Sequence, residues 1–509
     1  MLAKTYSYGI NGLDAYPITI EVDVSNGLPA TIIVGLPDSA VKESKERVRA
    51  AIRNSGYKYE ARRITVNLSP ADTKKEGPSF DLAIALGCLA ASSQIDPGCL
   101  NDYAVLGELS LDGNIKPVRG TLPIALSMTS RFKGLILPAD NAVEASVASN
   151  TNIYPVKTLK EVVHILSAPE ELRSFTANID SIFAQENHYD IDFSDVKSQS
   201  FVKRGMEIAA AGNHNLLLIG PPGTGKSMLA KRLPTILPDM TREESLETTK
   251  IHSVMGLLKR KGGIVATRPF RSPHHTTSSA AIVGGCSNPR PGEVTLSHNG
   301  VLFLDELPEF NRDVLESLRQ PLEDYQVTIS RANKAVIFPA RFLLICSMNP
   351  CNCGFLSDPR KNCTCTQAQI QKYMSKISGP LLDRIDIHLE VPALLSNELL
   401  SPRKEETSKN IKERIVLARN VQRDRFKEAK IKYNAYMTQS QIKEFCYVEQ
   451  EGKNMLKMAI EELGLSARAY DKVLKVSRTI ADLANEQNIL AEHIAEAIQY
   501  RSLDRNWWG

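Results

Sequence analysis

The chain has 509 residues, enough for about three domains of ~150 residues each. Apolar residues make up 42% and charged residues 24%, and 62 Lys and Arg against 58 Asp and Glu leave a net charge of +4. That composition excludes disordered, collagen-like and coiled-coil chains, and it confines any nucleic-acid-binding surface to a local patch. No apolar run reaches the ~18 residues of a membrane span; the longest lies around Leu82 to Ala91. The opening Met1-Leu-Ala-Lys-Thr-Tyr6 lacks the charged-then-apolar order of a secretory signal. Nine cysteines, four of them crowded together, point to reduced thiols or a metal site rather than a disulfide framework. The expectation is a cytoplasmic protein with no membrane partner.

Residues 1–170 alternate β-rich runs (Ile18 to Val24, Thr31 to Val34, Arg63 to Val66) with helical stretches such as Ala40 to Asn54, the pattern of an α+β domain. Residues 171–199 are polar and read as a linker. From 200 to 395 strands alternate with helices, as in a parallel sheet covered by helices. Residues 396–509 carry helix-period segments only: Glu406 to Lys427, Gln439 to Tyr447, Lys453 to Leu463, Ala467 to Ala484 and Ala491 to Arg501. The expected fold is multi-domain α/β, with an α+β first domain, a parallel-sheet core and an all-α last domain.

The apolar run Asn215 to Ile219 feeds into Gly220, Pro221, Pro222, Gly223, Thr224, Gly225, Lys226 and Ser227, and a helix follows. This is a phosphate-binding loop in its required context, strand before and helix after. Its glycines let main-chain N–H groups curl around phosphate oxygens at a helix N-terminus. Lys226 supplies charge to the terminal phosphates of ATP, and the Ser227 hydroxyl suits Mg2+. A second buried run, Val301 to Leu304, ends in Asp305 and Glu306. Asp305 is placed for the Mg2+ shell and Glu306 for polarising the attacking water.

These motifs resemble an AAA+ ATPase. Arg268 to His275, Pro291 to Phe310 and Ser347 to Gly354 narrow the resemblance to magnesium-chelatase-like AAA+ ATPases of the ComM/YifB family. The resemblance covers essentially the whole chain. It implies that Asn349 is the sensor orienting water or γ-phosphate, that Arg384 in Leu381-Leu-Asp-Arg-Ile-Asp386 is an arginine finger, and that Arg468 is a second sensor on a helical lid. A finger acting on a neighbour's nucleotide completes the site only between protomers, so the resemblance implies a homo-hexameric ring. It further implies a DNA motor, a helicase or branch-migration enzyme of recombination or natural transformation acting on single-stranded or branched DNA. A protein-remodelling ATPase is the alternative.

Between Thr248 and Gly292 stand Lys250, Lys259, Arg260, Lys261, Arg268, Arg271 and Arg290, with no acid. Related proteins carry a pore insertion there. A second basic tip, Arg331-Ala-Asn-Lys334, lies in a strand–turn–strand segment resembling the hairpin before the first sensor. The DNA contacts are expected at Lys259, Arg260, Lys261, Arg268, Arg271, Arg331 and Lys334. His274 and His275 read as polar packing. Cys351, Cys353, Cys363 and Cys365 form two C-x-C pairs, which fit either a structural zinc site or four reduced thiols in a polar loop. Finally, Gly77-Pro-Ser79, the apolar helix after it and Gly107 to Val118 resemble a Lon-type proteolytic domain. Ser79 takes the nucleophile position, but Leu122 stands where the lysine base is needed, so no proteolysis is expected.

Overall fold

The computed structural model describes residues 1–171, 173–258, 262–285, 289–331, 334–356, 358–393, 405–429, 431–463 and 466–501. They fall into two compact units. The first holds residues 1–187 together with 241–266; the second holds 188–240 and the chain from Thr267 onward.

The first unit is built on a mixed seven-stranded sheet. Its strands are β1 (Leu2–Asn11), β2 (Asp14–Ser25), β3 (Ala30–Val34), β4 (Arg63–Ser69), β5 (Tyr103–Val105), β6 (Gly134–Pro138) and β7 (Ile153–Val156). Their order is β3-β4-β2-β1-β5-β6-β7. Alternation along β2 puts Ile18, Ile20, Val22 and Val24 on one face, in the core. Every residue of the helix Asp81–Ala91 is buried, as a helix apolar on all sides must be. Its single charge, Asp81, is held by the Arg47 guanidinium at 2.7 and 3.1 Å.

The second unit contains an all-parallel sheet of five strands: β8 (Leu216–Ile219), β9 (Phe270–Arg271), β10 (Val301–Leu304), β11 (Leu343–Met348) and β12 (Ile387–Glu390). The order is β9-β10-β11-β8-β12. All four residues of β8 and of β10 are buried, which explains their continuous apolar runs. Ile219 pairs with Met348, so the segments leaving β8 and β11 emerge side by side. Ligands of open parallel sheets collect at this carboxyl end.

The helices expected after residue 402 form at Ser408–Arg425, Gln439–Phe445, Gln450–Leu463, Ala467–Leu483 and Ala491–Gln499. They belong to the second compact unit. Ile411, Ile415, Val473, Ile480 and Tyr500 share one hydrophobic cluster with Leu216, Leu218, Ile345 and Leu389 of the sheet. The polar stretch read as a linker is also ordered in part. It forms the helix Ile179–Glu186 in the first unit, whereas Phe193 is fully buried in the second.

The stretch 241–266 departs furthest from expectation. Its helix, Arg242–Met255, begins with a reciprocal Thr241–Glu244 capping box and ends at Gly256. It packs on the amino-terminal sheet domain rather than forming a free arm of the core. The Gly120 N–H donates to the Ser253 carbonyl at 3.1 Å, the Ser253 hydroxyl bonds Glu144, and Lys250 pairs with Asp14 at 2.7 Å. Leu122, where a Lon-type base would be needed, is fully buried beside this contact, its N–H donating to Glu144 at 3.2 Å.

Candidate active site

The loop from Gly220 to Ser227 leaves β8 and turns into the helix Lys226–Ile236. Gly223 and Gly225 have φ of +78° and +88°, which L side chains rarely adopt, and this curls the loop's main chain. Lys226 reaches back across the curl. Its ammonium donates to the carbonyls of Gly220 (2.6 Å) and Pro221 (2.9 Å) and to the Asn349 side-chain oxygen (3.2 Å). Burial pulls its pKa down to about 8, while the nearby Asp305 and Glu306 carboxylates act the other way.

The expected metal ligands meet. The Ser227 hydroxyl donates to Asp305 at 2.7 Å, and the Ser347 hydroxyl donates to the other Asp305 oxygen. A hydroxyl and a carboxylate converging beside a phosphate loop make an all-oxygen donor set, the chemistry that suits Mg2+. Glu306 follows with φ +55° and a side chain that is 59% exposed. A left-handed non-glycine residue at the end of a buried strand points its carboxylate outward, a costly conformation found at functional positions.

Three residues that were not singled out for this site in the sequence also reach it. His275 Nδ1 lies 3.5 Å from Glu306, and its ring meets Phe310 edge-on. Ser347 fixes Asp305. Gln199, from the segment read as a linker, donates to the Thr224 carbonyl at 3.0 Å and so ties down the loop. A polar residue just before a helix carries no signal for such a role.

Arg384 and Arg468 both hold partners inside the chain. Arg384 bonds Glu323 and the Pro380 carbonyl, with its side chain only 11% exposed. It pairs with neither Asp383 nor Asp386. Arg468 bonds Asp383 at 3.0 Å, on the same segment as Arg384. Lys472, one turn further along that helix, pairs at 3.2 Å with the Asp386 carboxylate.

Two of the expected DNA contacts are engaged elsewhere. The Arg268 guanidinium donates to the carbonyls of Pro238 (2.6 Å), Asn299 (2.7 Å) and Asp239 (3.3 Å). Arg271 forms a two-pronged pair with Glu293 at 2.6 and 2.8 Å, the first acid after the basic run. Both arginines therefore have partners within the chain, which the charge count alone did not show. Replacing Arg268 by Ala should cost about 2 kcal/mol, since three carbonyls lose a charged donor. Thermal unfolding checks this, and DNA affinity of the folded variant should stay unchanged. Lys259, Arg260 and Lys261 lie outside the described residues. Arg331 and Lys334 pair at the end of the antiparallel hairpin Gln326–Arg331/Lys334–Pro339, whose inner face is Val327, Ile329, Val336 and Phe338.

The four cysteines do come together. Their sulfurs lie within 4.8 Å of one another, on the loop that begins two residues after Asn349.

Residues 192–399 match the family described as magnesium chelatase, subunit ChlI. Residues 20–141 match the subunit ChlI family of Mg-chelatase, and 405–501 match the ChlI C-terminal family. Competence protein ComM of Haemophilus influenzae is 45% identical over 508 residues, spanning 99% of this chain and 98% of that protein. The chain belongs to the magnesium-chelatase-like ComM/YifB family. YifB of Escherichia coli, an uncharacterised protein, is 43% identical over 498 residues, 97% of this chain and 96% of its own length. Likeness to Lon is partial. Lon protease 2 of Bacillus subtilis is 32% identical over 146 residues, 28% of this chain and 26% of that protein. Within the family frame, the convergence of Lys226, Ser227, Asp305 and Asn349 lies at the carboxyl end of the parallel sheet. Among the described residues no helix is long and apolar enough to cross a membrane.

Proposed function

We propose that the protein is an ATP-hydrolysing motor that works on DNA as a homo-hexamer, in recombination or natural transformation. The single observation that carries the ATPase part is the meeting of Lys226, Ser227, Asp305, Ser347 and Asn349 at one end of the sheet. Lys226 binds the terminal phosphates, exchanging its carbonyl partners for phosphate oxygens. Ser227 and Asp305 would hold Mg2+, which neutralises charge on the transferred phosphoryl group. Glu306 orients the attacking water and takes its proton, and His275 at 3.5 Å steadies that carboxylate. Asn349, bonded to Lys226, reads the γ-phosphate position. Arg384 serves a neighbouring subunit's nucleotide once its pair with Glu323 is released, and Arg468 adds a second sensor. The site is completed between protomers, which is the reason for a ring.

The DNA part is supported by end-to-end similarity to a competence protein and by the hairpin tip Arg331–Lys334. Lys259, Arg260 and Lys261 belong to the same proposal. Basic tips that meet a phosphate backbone give sequence-tolerant, salt-sensitive binding. One observation favours a protein-remodelling ATPase as the second reading: Lys250, Arg268 and Arg271 already hold partners, which leaves fewer cations for DNA. Hydrolysis measured with and without single-stranded DNA, for wild type and an Arg331→Ala/Lys334→Ala variant, separates the two. A motor is stimulated by DNA and loses that stimulation in the variant while basal hydrolysis survives. A protein remodeller is indifferent to DNA in both.

A further inference from the structure

We propose that Cys351, Cys353, Cys363 and Cys365 hold one zinc ion, and that this ion sets the shape of the nucleotide loop. Three Sγ–Sγ separations are 3.3 Å (Cys351–Cys353), 3.5 Å (Cys353–Cys363) and 3.6 Å (Cys351–Cys363). A Zn–S bond of about 2.3 Å in tetrahedral geometry puts sulfurs roughly 3.8 Å apart, close to this spacing. Thiolates of a multi-iron cluster sit on different irons and stand further apart.

The Cys365 main-chain N–H donates to the Cys363 sulfur at 3.4 Å. A donor at sulfur offsets the charge of a thiolate, the form that binds metal. On binding, each thiol gives its proton to solvent and its sulfur lone pair forms a Zn–S bond, with no change of oxidation state.

The knuckle is seated on the nucleotide site. Gly354 has φ +84°, and a Cβ there would lie 2.8 Å from Pro222 Cδ in the phosphate loop. Turn and loop are therefore in contact with no room for a methyl group. The same segment starts at Asn349, whose side chain bonds Lys226 at 3.2 Å. It ends at the helix Gln367–Met374. A metal that closes this loop fixes Pro222 and Asn349 together. This second half rests on the nucleotide reading of residues 220–227, whereas zinc content is measured without nucleotide, so the two fail separately.

The test uses the full chain, purified without chelator. We expect about one zinc per chain, and cobalt exchange should give the intense visible bands of a tetrahedral cobalt–thiolate centre. Both should vanish in a Cys353→Ser/Cys363→Ser variant. Stripping zinc should weaken binding of a fluorescent ATP analogue about tenfold, within the usual range for coupled sites, and saturating nucleotide should hinder zinc capture by a chelator by the same factor. Gly354→Ala guards against simple unfolding: it should keep its zinc and circular dichroism yet lose nucleotide affinity. Zinc near zero with four freely titrating thiols overturns the metal site, as does iron in its place. Full zinc with nucleotide affinity indifferent both to its removal and to Gly354→Ala overturns the link to the loop.

Discussion

Lys226→Ala should abolish nucleotide binding at working concentrations, whereas Glu306→Gln should bind nucleotide normally and stop turning it over. The two side chains act at different moments. Lys226 faces ground-state phosphates, and each charge-assisted bond it makes is worth about 1.5–3 kcal/mol, roughly ten- to a hundredfold in affinity. Its loss also releases the carbonyls of Gly220 and Pro221, so the empty loop is less well shaped. Glu306 acts on water in the transition state, and a missing base of this kind lowers the rate by about 10²–10⁴. Gln keeps its size and its exposed, left-handed position. The lysine also predicts a pH effect. In the free protein its pKa is lowered to about 8, and bound phosphates raise it. Binding is therefore strongest below pH 8, weakens above it, and takes up protons near that value. Equal loss of nucleotide affinity in both variants would refute the division of roles, and calorimetry in two buffers reads the proton uptake.

Arg384→Ala should lower hydrolysis about a thousandfold, the lower end for an arginine finger, with ATP affinity nearly unchanged. Within one chain its guanidinium is paired with Glu323, so a purely structural role must be separated from a finger. Glu323→Ala removes the same pair. If the pair alone matters, the two variants lose activity alike; if Arg384 serves a neighbour's phosphate, Glu323→Ala retains most of the rate. Mixing sharpens the test. Rings assembled from Arg384→Ala and Lys226→Ala subunits bring some sites with an intact lysine against an intact finger, and partial activity returns. Mixed rings that stay inactive at every ratio contradict a finger acting between subunits.

The phosphate loop was legible because eight positions and both flanks had to agree, and the two acids after Val301 to Leu304 followed from a buried strand ending in charge. The helix segments after residue 402 were legible from their period. Their packing was not. A period says which face is apolar, and nothing in it told that Val473 and Ile480 would share a core with Leu216 and Ile345. The helix Arg242–Met255 shows the same limit. Its caps at Thr241, Glu244 and Gly256 are local signals, whereas the contacts of Ser253 with Gly120 and Glu144 bridge more than a hundred residues. Charge counting also missed the partners of Arg268 and Arg271, for a related reason. A run without acids looks like a free basic surface, yet Arg268 spends its donors on main-chain carbonyls, and Glu293, the partner of Arg271, lay just past the end of the count. Spacing did mark the four cysteines, but their place against Pro222 came from the fold.

A DNA motor couples hydrolysis at Lys226 and Glu306 to the DNA it grips. The most direct measurement is the ATP hydrolysis rate of the full chain with single-stranded DNA across a salt series, with Glu306→Gln as the background. Stimulation that is strong at low salt, falls steeply and log-linearly as salt rises, and does not depend on DNA sequence is the predicted result. A rate that stays the same with and without DNA at every salt concentration, in protein that binds nucleotide and assembles, would rule out a DNA-coupled motor.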